Sequence, residues 1–532
     1  MNVADLLADS AQKAPDRTAV IAPDPRGGWQ RISYRQLDTA VDAHAIALRL
    51  HGVEPGELAL VMVPAGISLI TLFYALLRLG AVPVMIDPGM GFAAFLKCVR
   101  TTEAKTLVGI PKAHLARLLF PASFSTVERP LVIGPSPLGL LGTSLRRLDA
   151  SAHGLPATPL RADLRADDPA AILFTSGSTG PAKGARYSVG NFFAQRDALS
   201  ALYNFQPGEV DLAAFPLFSL FDAAFGMTSV IPDIDPARPA QCHPEKIVEA
   251  ILEHNATSAF GSPAIWSRVA PWCASHGIRL PGLNRVLMAG APVPLKLVRA
   301  MRVVLGEGAD VHTPYGATEA LPVASISGRE VEALGTRIEA GAGTCVGFPA
   351  STIELMIVPI SEEAIQSIGA EGQVPQGSVG EICVRGGVVT RAYHNREDAT
   401  LASKVGEGEG IWHRMGDLGY LDADGRLWFC GRKAEAVFTA QGPIFTDQIE
   451  CRFSGHERFP RVALVGIGPK GQARPILIIE SQENEALRTE GRELSGIEDV
   501  RFHPGFPVDR RHNAKIHRLD LARWAAANRN LR

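Results

Sequence analysis

At 532 residues the chain is too long for one ordinary hydrophobic core, so at least two domains are expected. Hydrophobic residues make up 46% and charged residues 20%, the mixture of a soluble globular protein, which excludes a disordered chain. Lys and Arg number 53 against 55 Asp and Glu, and a formal net charge of −2 gives no support to nucleic-acid binding, which needs a basic excess.

In chain order, residues 3–13 read as a short amphipathic helix, 18–22 as a strand and 34–50 as a helix. A buried strand over 58–63, a buried helix over 68–79 and a strand over 82–86 follow, before the turn Asp87-Pro88-Gly89. This alternation predicts layered α/β architecture with largely parallel strands. The pattern pauses in a Pro- and Leu-rich segment (120–165). It resumes with helices over 245–254 and 264–275 and strands over 258–260 and 285–288. From about Ser351 short strands dominate (353–358, 380–384, 420–421, 427–429). The last hundred residues mix apolar segments (462–467, 476–479) with a helix over 519–528. The expected fold is a large N-terminal domain (1–431) of layered α/β subdomains plus a small β-rich section. A small mobile α+β domain (432–532) follows it.

The seven cysteines are scattered, odd in number and without C-x-x-C spacing, which argues against a disulfide framework or zinc site and for a reducing compartment. Residues 1–15 carry Asp5 and Asp9 and no basic-then-apolar signal. The longest apolar stretch, 58–86, is broken by Pro64, Gly66, Ser68, Arg78 and Gly80, well short of the roughly 20 residues of a membrane span. A cytoplasmic protein without a transmembrane segment is expected.

The most informative stretch, residues 173–184, reads Leu-Phe-Thr-Ser-Gly-Ser-Thr-Gly-Pro-Ala-Lys-Gly after a strand-like run. Glycines let backbone N–H groups turn toward an anion, Thr175, Ser176, Ser178 and Thr179 add hydroxyls, and Lys183 adds a cation. It is not a P-loop of the G-x-x-x-x-G-K-[ST] type, because Lys183 is followed by Gly184. Further motifs follow in order: Ala-Gly-Ala-Pro at 289–292, Tyr-Gly-Ala-Thr-Glu at 315–319 and Gly-Glu-Ile-Cys-Val-Arg-Gly at 380–386. Trp-His-Arg-Met-Gly-Asp at 412–417 and Gly431-Arg432 complete the set.

Together these resemble the adenylate-forming superfamily of acyl-CoA synthetases, luciferases and adenylation domains of peptide synthetases. The resemblance implies that ATP phosphates lie against Thr175, Ser176, Gly177, Ser178, Thr179, Gly180, Lys183 and Gly184. Adenine would lie against Gly290, Ala291, Pro292, Tyr315 and Gly316. It implies Mg2+ at Glu319 beside Thr318, ribose on Asp417 and Arg432, and a catalytic Lys515 between substrate carboxylate and α-phosphate. It also implies an apolar acyl pocket within 215–230, from Phe215, Phe218, Phe221, Phe225 and Met227.

The chain departs from ordinary acyl-CoA synthetases at Ala182, Ser219, Met415 and Ala434, the last standing where a charged hinge residue is usual. The combination at 412–417, 427–434 and 507–516 (Pro-Val-Asp-Arg-Arg-His-Asn-Ala-Lys-Ile) looks like the olefin β-lactone synthetases. That resemblance implies adenylation of a 2-alkyl-3-hydroxy fatty acid, then ring closure by its 3-hydroxyl, and a complex with neighbouring olefin-pathway enzymes. His413, His512 and the leaving phosphate all stand as bases for that hydroxyl. An acyl-CoA or acyl-carrier-protein ligase is the alternative, and a non-catalytic nucleotide-binding homologue a third.

Overall fold

A computed structural model describes the chain except for residues 153–159, 176–181, 216–217, 366, 370–371, 407, 510–514 and 529–532. It forms two compact units, Met1–Phe260 with Gly387–Thr400, and Gly261–Gly386 with Leu401–Arg532.

In the first unit a seven-stranded sheet runs Thr143–Ser144, Arg129–Val132, Thr106–Gly109, Leu58–Met62, Val82–Ile86, Pro169–Thr175, Lys183–Ser188. All neighbours are parallel except the last pair. Its helix Ile67–Leu79 is buried on every side from Leu69 onward, as an all-round apolar helix must be. The helix stops at Gly80 in the left-handed region (φ 80°), where a Cβ would lie 2.7 Å from that of Ala162. Helix Tyr34–Leu50 begins with a Ser33/Gln36 capping box. A second group of strands packs Val210–Ala213 parallel to both Thr228–Val230 and Ser258–Gly261. The Pro- and Leu-rich segment does not interrupt the fold: it supplies Arg129–Val132, Thr143–Ser144 and helix Leu145–Ala152. Those strands are too short to give a period.

In the second unit Arg285–Met288 lies parallel to Asp310–Ala317. An antiparallel run then continues through Ala320–Ser327, Thr344–Pro349, Leu427–Arg432, Trp412–Leu421, Gly380–Gly386 and Ile353–Val358. Residues beyond Arg432 build their own sheet, Val462–Ile467, Arg474–Glu480 and Val500–His503. Its core holds Val437, Leu464, Leu477, Ile479 and Val500, and helix Arg518–Ala527 packs on the sheet through Leu521 and Ala525. The seven cysteines are buried and free. No helix among the described residues is long and apolar enough to cross a membrane.

Candidate functional site

The Gly/Ser/Thr segment is the connection of a hairpin in the first unit. Thr175 pairs with Lys183 and Phe174 with Gly184, so two antiparallel strands fix both ends of the loop. Residues 176–181, which include Ser176, Gly177, Ser178, Thr179 and Gly180, lie outside the described residues. A Cβ on Gly184 would stand 2.7 Å from the Phe174 ring and 2.8 Å from Ile172, so packing alone demands glycine there. Lys183 Nζ lies 5.0 Å above the Tyr393 ring.

Also in this unit, Phe218 stacks on Phe260 at 4.4 Å and Phe215 meets Phe260 edge-on at 5.6 Å. Phe221 lies 6.3 Å from Phe218. Phe215 and Phe221 are half-buried. Phe225 is buried against Phe205, and Met227 is fully buried with its carbonyl accepting from Tyr34 at 2.7 Å.

The second unit brings the remaining motifs together. Gly290, Ala291 and Pro292 follow strand Arg285–Met288 and precede helix Leu295–Val304. They stand at the carboxyl end of a parallel strand, where open α/β sheets bind ligands. Tyr315 and Gly316 end strand Asp310–Ala317, and Thr318 and Glu319 form the two-residue tip before Ala320–Ser327. Gly316 is needed because a Cβ would sit 2.7 Å from the Ala320 carbonyl.

Tyr315 donates to Asp417 Oδ2 at 2.6 Å, and Arg432 Nη1 lies 3.0 Å from Oδ1. Asp417 and Arg432 are direct partners across the antiparallel pair Trp412–Leu421 and Leu427–Arg432. Burial pushes the Asp417 acid above the usual carboxylate range. The Arg432 guanidinium, the Tyr315 hydrogen bond and the Lys515 ammonium pull it down, and Glu319 adds to the rise. Five motif residues thus share one electrostatic neighbourhood.

Lys515 is held by a closed chain segment. Its N–H donates to Asp509 Oδ1 and its carbonyl accepts from the Asp509 N–H, both at 3.0 Å, and Val508 bridges Ile516. Three residues on, Arg518 donates to Glu435 at 2.8 Å and to both oxygens of Glu450. His512 falls outside the described residues; His413 is buried, with Nδ1 3.2 Å from the Ser403 carbonyl.

Two features escaped the sequence. Glu381, from the 380–386 motif, is buried and accepts from Arg414 at 2.6 Å and from Lys433 at 3.0 Å, which pins the residue after Arg432. Lys404 is buried opposite His413 in the register of Lys404–Val405 with Trp412–Leu421. Burial pushes its ammonium down to about 7, against the pull of Glu319. A lone Lys in a two-residue strand carries no pattern that would reveal it.

A buried acid, an arginine and a tyrosine thus meet on one sheet of the second unit, a set of acceptors and donors that suits a nucleotide. The AMP-binding enzyme family model matches residues 7–394. An olefin beta-lactone synthetase of Xanthomonas campestris pv. campestris is 43% identical, covering 99% of this chain and 98% of its own. That of Stenotrophomonas maltophilia is 42% identical at the same coverage. The O-succinylbenzoate coenzyme A synthetase of Bacillus subtilis, solved in complex with ATP and magnesium ion, superposes with TM-score 0.75 at 21% identity, over 97% of this chain and 98% of that one. The chain belongs to the AMP-binding enzyme family and, within it, to the olefin β-lactone synthetases.

Proposed function

We propose that this enzyme activates a long-chain 2-alkyl-3-hydroxy fatty acid. The carboxylate attacks the α-phosphorus of ATP, releasing pyrophosphate and leaving an acyl-AMP. The substrate's own 3-hydroxyl then attacks the activated carbonyl, forming a β-lactone and expelling AMP. The observation that carries the reading is full-length likeness to the olefin β-lactone synthetases, at 43% identity.

The residues suit these steps. The buried Asp417 oxygen Oδ1 is ion-paired with Arg432 but accepts no hydrogen bond among the described residues, which suits an acceptor for a ribose hydroxyl. Lys515, whose charge reaches Asp417, would hold carboxylate and α-phosphate together as charge builds. Phe215, Phe218 and Phe221 would meet the acyl chain, at about 0.8 kcal/mol per buried CH₂. An attacking hydroxyl carried by the substrate supplies its own proximity. We assign residues 432–532 as the lid that carries Lys515.

Among the described residues no three His, Cys, Asp or Glu side chains gather into a metal site. That suits magnesium, which takes one or two carboxylates and leaves its other positions to phosphate oxygens and water. Glu319, beside Thr318 at the hairpin tip, fits as that carboxylate. When bound, the ion would neutralise phosphate charge. A cytoplasmic location and a complex with neighbouring olefin-pathway enzymes belong to the same proposal.

The test is incubation with ATP and a long-chain 3-hydroxy acid, with and without CoA. Lactone without CoA is the expected product. A thioester formed only with CoA would make the enzyme a ligase, and absence of AMP would remove catalysis altogether.

A further inference from the structure

Helix Pro111–Leu119 of the first unit turns an apolar face outward. Ala113 and His114 are buried, whereas Leu115, Leu118 and Leu119 are each more than half exposed. Spacings of three and four residues put these leucines on one face. The next residue, Phe120, meets Phe92 edge-on at 5.1 Å, and both rings are exposed, so the surface extends onto helix Phe92–Thr102. Arg117 donates to the Leu141 carbonyl at 3.2 Å, which ties on the turn carrying Leu138, 95% exposed. Single exposed leucines are ordinary, but a contiguous group of this kind marks an interaction surface.

Its charge says what covers it. Residues 92–147 hold eight Lys or Arg and only two Asp or Glu, in a chain whose formal net charge is −2. Lys112 precedes Leu115 by one turn on the same helix face, and Lys97 and Arg100 are exposed on the neighbouring helix. Among the described residues none of these three forms an ion pair. A second copy docked symmetrically would set this basic rim against itself. Hydrocarbon side chains set among unneutralised cations match a surface that offers acyl chains beneath negative headgroups.

We propose that this face docks the enzyme on an anionic lipid bilayer, with the leucines and Phe92 entering the headgroup boundary. The test is flotation of the full chain with vesicles of phosphatidylcholine alone or mixed with phosphatidylglycerol. Binding is expected on the mixed vesicles only, weakened by salt. Lys97→Gln and Lys112→Gln should each weaken it about fivefold. The double variant Leu118→Asp/Leu119→Asp should abolish it at an unchanged melting temperature, since both side chains face solvent. Failure to bind mixed vesicles, or binding that survives the double variant, would overturn the proposal. So would sedimentation showing a dimer that the double variant dissolves, which would make the face a protein interface.

Discussion

The Tyr315 hydroxyl occupies one oxygen of Asp417 at 2.6 Å, while the other, Oδ1, is buried near Arg432 yet accepts no hydrogen bond among the described residues. One oxygen is therefore hydrogen-bonded and the other ion-paired, in a carboxyl group whose charge depends on Arg432. Asp417→Asn halves the acceptor set and removes that charge. ATP affinity should fall by roughly 10- to 100-fold, the scale of a hydrogen bond to a charged group. Tyr315→Phe, which leaves both oxygens in place, should cost less. Calorimetric titration with ATP decides, and equal affinities for Asp417→Asn and the wild type would remove Asp417 from nucleotide binding.

Lys515 acts in the transition state in this scheme, so binding and chemistry should separate. Lys515→Ala should slow pyrophosphate release by about 10²-fold or more while leaving ATP affinity nearly intact. Rapid-quench measurement of pyrophosphate gives the answer. An unchanged rate would place the side chain outside the mechanism.

The clamp behind Lys515 has its own signature. Arg518 is the cation between the mostly buried Glu435 and Glu450. Removing one partner of such a cluster typically costs roughly 3–5 kcal/mol. Burial already raises the Glu435 acid, and Arg518 is the largest influence lowering it. In Arg518→Ala the folded-state value rises further, so stability should fall as pH climbs above the unfolded value of about 4.3. Urea melts at pH 5 and pH 8 should show the larger deficit at pH 8. A deficit independent of pH would mean that Arg518 holds the helix by packing alone.

Lys404 has the opposite sign. Burial lowers its folded-state value to about 7, whereas an unfolded lysine keeps its proton to about 10.4. Between those values the unfolded chain binds more protons, so wild-type stability gains as pH rises. Lys404→Met removes this dependence. The variant should be the more stable protein at pH 7, with its advantage shrinking toward pH 10. A difference that stays flat across this window would show that Lys404 keeps its charge in the fold, paired with Glu319.

Much of the first unit could be read in advance because its signals are local. Helix Tyr34–Leu50 has a full amphipathic period and its own capping box, and the strands near Leu58 and Val82 are continuous apolar runs. The 315–319 motif likewise could be singled out by residue type and spacing, because its residues are neighbours in sequence. The net charge of −2 concealed the basic stretch 92–147, because a sum over the chain erases local asymmetry.

What the tertiary structure alone decided are the pairings between residues far apart in the chain. Register, which the sequence does not state, sets Asp417 opposite Arg432, and Asp417 meets Tyr315 across about a hundred positions although their strands are not neighbours in the sheet. Lys433 is pinned by Glu381, and Lys404 is buried opposite His413, for the same reason. The sequence determined which chemical groups exist and which local elements carry them. Strand order and burial decided which of those groups meet and which lose their water, and with that the charge each one holds.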